Sequence, residues 1–121
     1  MRYHCLIYFD PETVFNGSPE SNAVLAAVGA HDKALEASGR MVMSEALNMP
    51  DSATTVQVRD GKVTTTDGPF METKEMLGGI IVIEAADRDE ALKIAAEIPF
   101  ARLGHIEVRP AIDFSGPRPV L

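Results

Sequence analysis

The chain opens with Tyr3-His4-Cys5-Leu6-Ile7-Tyr8-Phe9, an aromatic and β-branched run of strand length that stops at Asp10-Pro11. Ser18-Pro19-Glu20 then reads as a helix start, with Ser18 as N-cap, Pro19 in the first turn and an acid beside it. The predicted helix runs to about Ser38 and stops at Gly39, a residue suited to a left-handed cap. Its apolar stripe is Val24, Val28 and Leu35, flanked by Ala27 and Ala34, and His31 falls on the same stripe. Met41 to Leu47 reads as a second strand, followed by a loop carrying Pro50. Two polar-apolar runs, Thr54 to Arg59 and Lys62 to Thr66, flank Asp60-Gly61, a strong signal for a hairpin with a two-residue turn. Asp67-Gly68-Pro69-Phe70 is a further turn, and Gly78-Gly79 opens the very apolar strand Ile80 to Ile83. Asp87 caps a second helix in a capping box with Glu90, and that helix ends before Pro99. His105 to Arg109 alternates as the last strand, and Ser115 to Pro119 reads as an extended or loose tail.

The order β-α-β, hairpin, β-α-β predicts an α+β fold: a ferredoxin-like antiparallel sheet with two helices on one face and an inserted β-hairpin. Strand parity divides the sheet. Tyr3, Cys5, Ile7 and Phe9, with Ile106 and Val108, form the apolar set expected under the helices. The opposite set is mixed: His4, Leu6, Tyr8, His105, Glu107 and Arg109. The Ile80 to Ile83 strand is apolar on both faces, which a solvated antiparallel sheet does not require. A second copy covering the open face, as in a dimeric α/β barrel, accounts for it. The homodimer is expected to form a cleft between sheets, lined by His4, Tyr8, Glu107 and Arg109.

The chain has 121 residues, enough for one domain, and carries 11 Lys and Arg against 18 Asp and Glu, a formal charge of −7. That balance, with no basic cluster, disfavours nucleic acid and anionic membranes as partners. No signal peptide or membrane span is read, and the one cysteine, Cys5, sits in an apolar run, so the cytoplasm is the expected compartment. The three histidines and the cysteine are scattered, and no phosphate loop, nucleophile elbow or paired-cysteine motif occurs; neither a metal nor a cofactor is expected.

The run Asp67-Gly68-Pro69-Phe70-Met71-Glu72-Thr73-Lys74-Glu75-Met76-Leu77-Gly78-Gly79 resembles the signature of the YCII-related, or DGPF-domain, family. The likeness extends through the first strand, the Ala53 to Thr66 hairpin, Ile98-Pro99 and the Ile106 to Pro110 ending, so that residues 1–121 read as one such domain. It implies the ferredoxin-like dimeric barrel. Proteins resembling this type are often encoded near extracytoplasmic-function sigma factors, and most have no assigned biochemical role. The superfamily includes small enzymes thought to use a His–Asp pair, at positions that fall on Val28 and Ile98 here. Neither side chain transfers a proton, and His31, three residues from Val28, is the nearest substitute.

Each candidate has a plain structural alternative. Asp67 orients a hydroxyl or a base, or shapes an Asx turn; Lys74 holds an anionic group, or joins Glu72 on a solvated surface. Phe70 packs its loop, or offers a stacking platform. His31 acts as a base, or sits neutral in the core; His4 pairs with Glu107 across neighbouring strands for catalysis, or across an interface. Arg109 forks a carboxylate ligand, or Glu107 of a second copy. Three functions follow, the first favoured: a homodimer binding a small anionic organic molecule, an acid–base hydrolase or lyase using a His and a carboxylate, and a regulatory partner of a sigma-factor system.

Overall fold

A computed structural model describes residues 1–117. Strand β1 (Arg2–Phe9) alternates buried and half-buried positions along its length, as its sequence parity predicts. It lies at the centre of a four-stranded sheet of order β2-β5-β1-β6, where β2 is Met41–Ala46, β5 is Met76–Glu84 and β6 is His105–Pro110. All three pairings are antiparallel, so the fold is the expected α+β ferredoxin-like one. The hairpin strands β3 (Thr54–Arg59) and β4 (Lys62–Asp67) form a separate two-stranded sheet. Their turn has positive φ at both Asp60 and Gly61, the conformation that Asp-Gly favours.

Helix α2 (Pro19–Ala37) begins where Ser18 accepts a hydrogen bond from the Ser21 N–H, and Gly39 beyond its end has φ +77°. Ser21 is fully buried and extends the stripe that Val24 and Leu35 bury; Ala34, expected beside them, is exposed. Helix α3 (Arg88–Ala96) is capped by Asp87, and the Glu90 carboxylate reaches back to the Ala86 N–H. One element was not expected: Asp10 caps a single helical turn, α1 (Pro11–Val14), where the sequence reads only as a strand end. Of the predicted tail, Arg118 and Pro119 lie outside the described residues.

The core sits between sheet and helices, with Tyr3, Cys5, Ile7, Ile81 and Ile83 meeting Leu35, Ala91, Ala95 and Ile98. A second cluster, Phe9, Val14 and Met76, closes one end, where Phe9 stacks on Phe100. Two glycines shape that end. Gly78 bulges out of the β1–β5 ladder, and a Cβ there would stand 2.3 Å from the Phe9 ring. A Cβ on Gly104 would stand 2.2 Å from the Tyr8 carbonyl oxygen, so only glycine lets β6 start beside Tyr8.

The sheet's other face carries His4, Leu6, Tyr8, Met43, Ile80, Val82, Glu107 and Arg109, and none of the described helices covers it. No helix of the described residues is long and apolar enough to cross a membrane.

Candidate functional site

Two hollows lie on opposite sides of the sheet's β5 end. The smaller, about 70 Å³, sits between α2, the β2–β5 edge and the turn at Pro99–Arg102. Val28 and Ile98 both line it, together with Ile7, Ile81 and Phe100. The two positions that the family resemblance singles out are thus on one cavity, and their side chains make it largely apolar. His31 and Asp32 stand on its wall, with Nδ1 2.9 Å from the Asp32 carboxylate; sequence reasoning named His31 but no partner for it. This cavity is the smaller of the two hollows and offers few polar groups to orient a ligand.

The larger hollow, about 1030 Å³, is a cleft between the β2–β3 connection, from Leu47 to Ala53, and the segment from Pro69 to Leu77. Tyr8 reaches its wall from β1. Its base is tied by backbone and hydroxyl contacts: the Gly68 N–H donates to the Ala53 carbonyl at 2.7 Å, and the Thr55 hydroxyl to the Gly68 carbonyl at 2.9 Å. Gly68 has φ +105°, a conformation that explains the Asp-Gly pair at this turn.

Three of the expected ligand residues, Tyr8, Phe70 and Glu72, meet at this cleft. Phe70 is 80% exposed, so it anchors no packing. Asp67 pairs with Thr54 at the end of β4 and Lys74 lies 4.0 Å from Asp10, and neither contributes to the wall. The acidic side chains on the wall are Asp51, Glu72 and Glu75, and no Lys or Arg among the described residues joins them. An anion would therefore meet no cation here.

His4, Glu107 and Arg109 lie farther along the open face. The expected His4–Glu107 contact is not formed, because the register sets His4 opposite Arg109 and Glu107 opposite Leu6. The Glu107 carboxylate instead receives the Arg109 Nε–H at 2.7 Å, so that arginine is engaged within its own strand.

Sequence reasoning missed one pairing. His105 stands directly across the strand pair from Tyr8, and its Nδ1 lies 2.7 Å from Glu75 Oε1. The Thr73 hydroxyl donates to the Glu75 backbone carbonyl and steadies that segment. The signal was present in part: His105 has the parity of Tyr8, and Glu75 belongs to the signature run. Their 30-residue separation hid the contact. Elsewhere, burial pushes the Cys5 thiol up to about 11, which leaves it unreactive near neutral pH.

Comparison with known proteins agrees with this architecture. Over 95% of its length the chain superposes on 97% of 5-chloro-2-hydroxyhydroquinone dehydrochlorinase (TftG) from Burkholderia phenoliruptrix AC1100, solved in complex with 2,5-dihydroxybenzoquinone. The TM-score is 0.53 and the identity 16%, a likeness of fold. An uncharacterized protein of Rhizobium meliloti (strain 1021) is 33% identical over 113 residues, covering 91% of each chain. The family model for the YCII-related domain matches residues 1–115, and the chain belongs to that family.

Proposed function

We propose that this protein is a cytoplasmic homodimer that binds a small hydroxylated ring compound in the cleft beside Tyr8. One observation carries the reading: a hollow of about 1030 Å³ on which Tyr8, Phe70 and Glu72 converge. Ligand sites are concave and mainly apolar, with a few polar groups that fix orientation. Here Met49, Phe70, Met71, Met76 and Leu77 supply apolar and aromatic surface, while Asn48, Ser52, Thr73 and Glu72 offer hydrogen-bonding groups.

The wall favours an uncharged hydroxylated ligand over the anion that Lys74 and Arg109 suggested, because Lys74 is turned to Asp10 and the wall's charges are carboxylates. The dehydrochlorinase of the same fold acts on a hydroxylated ring, which is consistent with this choice. A second copy over the open face would shield the half-buried Leu6 and Ile80 and narrow the cleft's open side. A single buried, unpaired cysteine suits a reducing compartment.

A thermal-shift panel of catechol, benzoate and benzylamine at equal concentration tests the ligand class. Catechol is expected to raise the melting temperature of the wild type, by mass action on the folded state, and to lose that effect in Phe70→Ala. A benzoate shift that exceeds the catechol shift would return the anion reading. Sedimentation velocity reports the dimer, and a monomer at micromolar concentration would remove it.

A further inference from the structure

Beside the cleft stands a pair of groups suited to moving a proton, of which Glu75 lines it. Gly104 brings the start of β6 against the Tyr8 backbone, so His105 lies next to the cleft, across the strand pair from Tyr8 and bonded to Glu75, without itself lining the wall. Glu75 arrives from the opposite side, on the segment that forms the wall itself. With Nδ1 2.7 Å from Glu75 Oε1, the neutral imidazole donates its Nδ1–H to the carboxylate. The Nε2 lone pair is then free to accept a proton, and the carboxylate both fixes the ring and stabilises the imidazolium that forms. The nearby groups do not compete. Glu107, two residues along β6, is held by Arg109. His105 is 77% exposed, which leaves Nε2 open to a ligand.

We propose that Glu75 and His105 form an acid–base pair that interconverts the enol and keto forms of a conjugated hydroxyl compound bound in the cleft. The proposal rests on the binding reading above. In the forward step Nε2 takes the hydroxyl proton; the O–H bond breaks and its electron pair becomes the new carbonyl. The conjugated carbon takes a proton from the imidazolium, so a C–H bond forms and His105 returns to neutral. Atoms and electrons balance without an oxidant, a metal or a leaving group. His105 is the catalytic residue of this step and Glu75 the positioning residue.

The test uses benzoylacetone, a neutral aryl diketone whose enol absorbs in the near ultraviolet. The enol form is diluted from organic solvent into buffer, and its ketonisation is followed with and without the full-length protein. The wild type is expected to accelerate the decay about a hundredfold. His105→Ala should return it to the buffer rate while keeping the benzoylacetone-induced thermal shift. Glu75→Gln, which keeps an acceptor oxygen for the Nδ1–H but not the charge, should retain part of the rate, and Glu75→Ala should lose nearly all of it, both with the benzoylacetone-induced thermal shift unchanged. A merely structural Glu75 would not grade the rate in this order at constant binding. A thermal shift without acceleration, or acceleration that survives in His105→Ala, overturns the acid–base pair and leaves the binding reading standing. Neither shift nor acceleration overturns both.

Discussion

The helix-side cavity and the loop-side cleft have different chemistry. The helix-side cavity is small, lined largely by apolar side chains such as Ile7, Ile81, Val28 and Ile98, and carries its one histidine on the wall beside Asp32. The loop-side cleft is more than ten times larger, is lined by residues of the signature run, and includes Glu75, a carboxylate bonded to a histidine thirty residues away. Val28 and Ile98 supply the helix-side cavity with apolar surface in place of groups able to transfer a proton, and Ile98 belongs to the core. The comparison teaches that a shared fold fixes where hollows form, while individual side chains decide which of them does chemistry.

The largest expected effect comes from placing charge in the helix-side cavity. Ile98 is 2% exposed, and Ile98→Asp is expected to cost about 3–4 kcal/mol in urea unfolding, since the carboxylate meets no partner. Val28→His in the same chain should recover about 1–2 kcal/mol of that loss by restoring a pair. Additive costs would show that the two positions do not meet. On the cleft side, Gly104→Ala drives a Cβ against the Tyr8 carbonyl and is expected to cost about 2–3 kcal/mol. It should also displace the Tyr8 and His105 amide resonances in an NMR spectrum, and unshifted resonances would break the link between that glycine and the site.

A smaller effect probes the core beneath the helices by pH. Burial raises the Cys5 thiol from 9.0 to about 11, so the folded state holds its proton more tightly than the unfolded chain does. That contribution is complete below pH 9 and is lost as pH rises toward 11, at about 1 kcal/mol per unit. Chemical denaturation across this range should slope downward, and Cys5→Ala should flatten the slope. The smallest stability effect belongs to Phe70→Ala, expected within about 0.5 kcal/mol of wild type because the ring is already in solvent. Its loss should appear in ligand binding alone.

Much of the fold was legible in the sequence because its signals are local. Asp60-Gly61, Ser18-Pro19, Asp87 with Glu90 and the parity of β1 each specify a conformation through a few neighbouring residues. The exposed valines Val56, Val58 and Val63 follow the same hairpin register without packing onto the body. The site was legible only in part. Tyr8, Phe70 and Glu72 were named, and they converge. The His4–Glu107 pairing failed on register: parity places both on one face, and the β1–β6 offset then sets Arg109 opposite His4. The His105–Glu75 contact depends on where the segment from the end of β4 at Asp67 to the Gly78 bulge folds back toward β6. No local pattern encodes that path.

The central claim is that the loop-side cleft, and not the helix-side cavity, receives the ligand. Titrating the isotope-labelled protein with catechol and following backbone and methyl resonances tests it most directly. The account predicts shifts concentrated at Tyr8, Phe70, Met71, Glu75, Leu77 and His105, with Val28, Ile81 and Ile98 unmoved. Shifts that gather at Val28, His31 and Ile98 while the cleft residues stay still would contradict it.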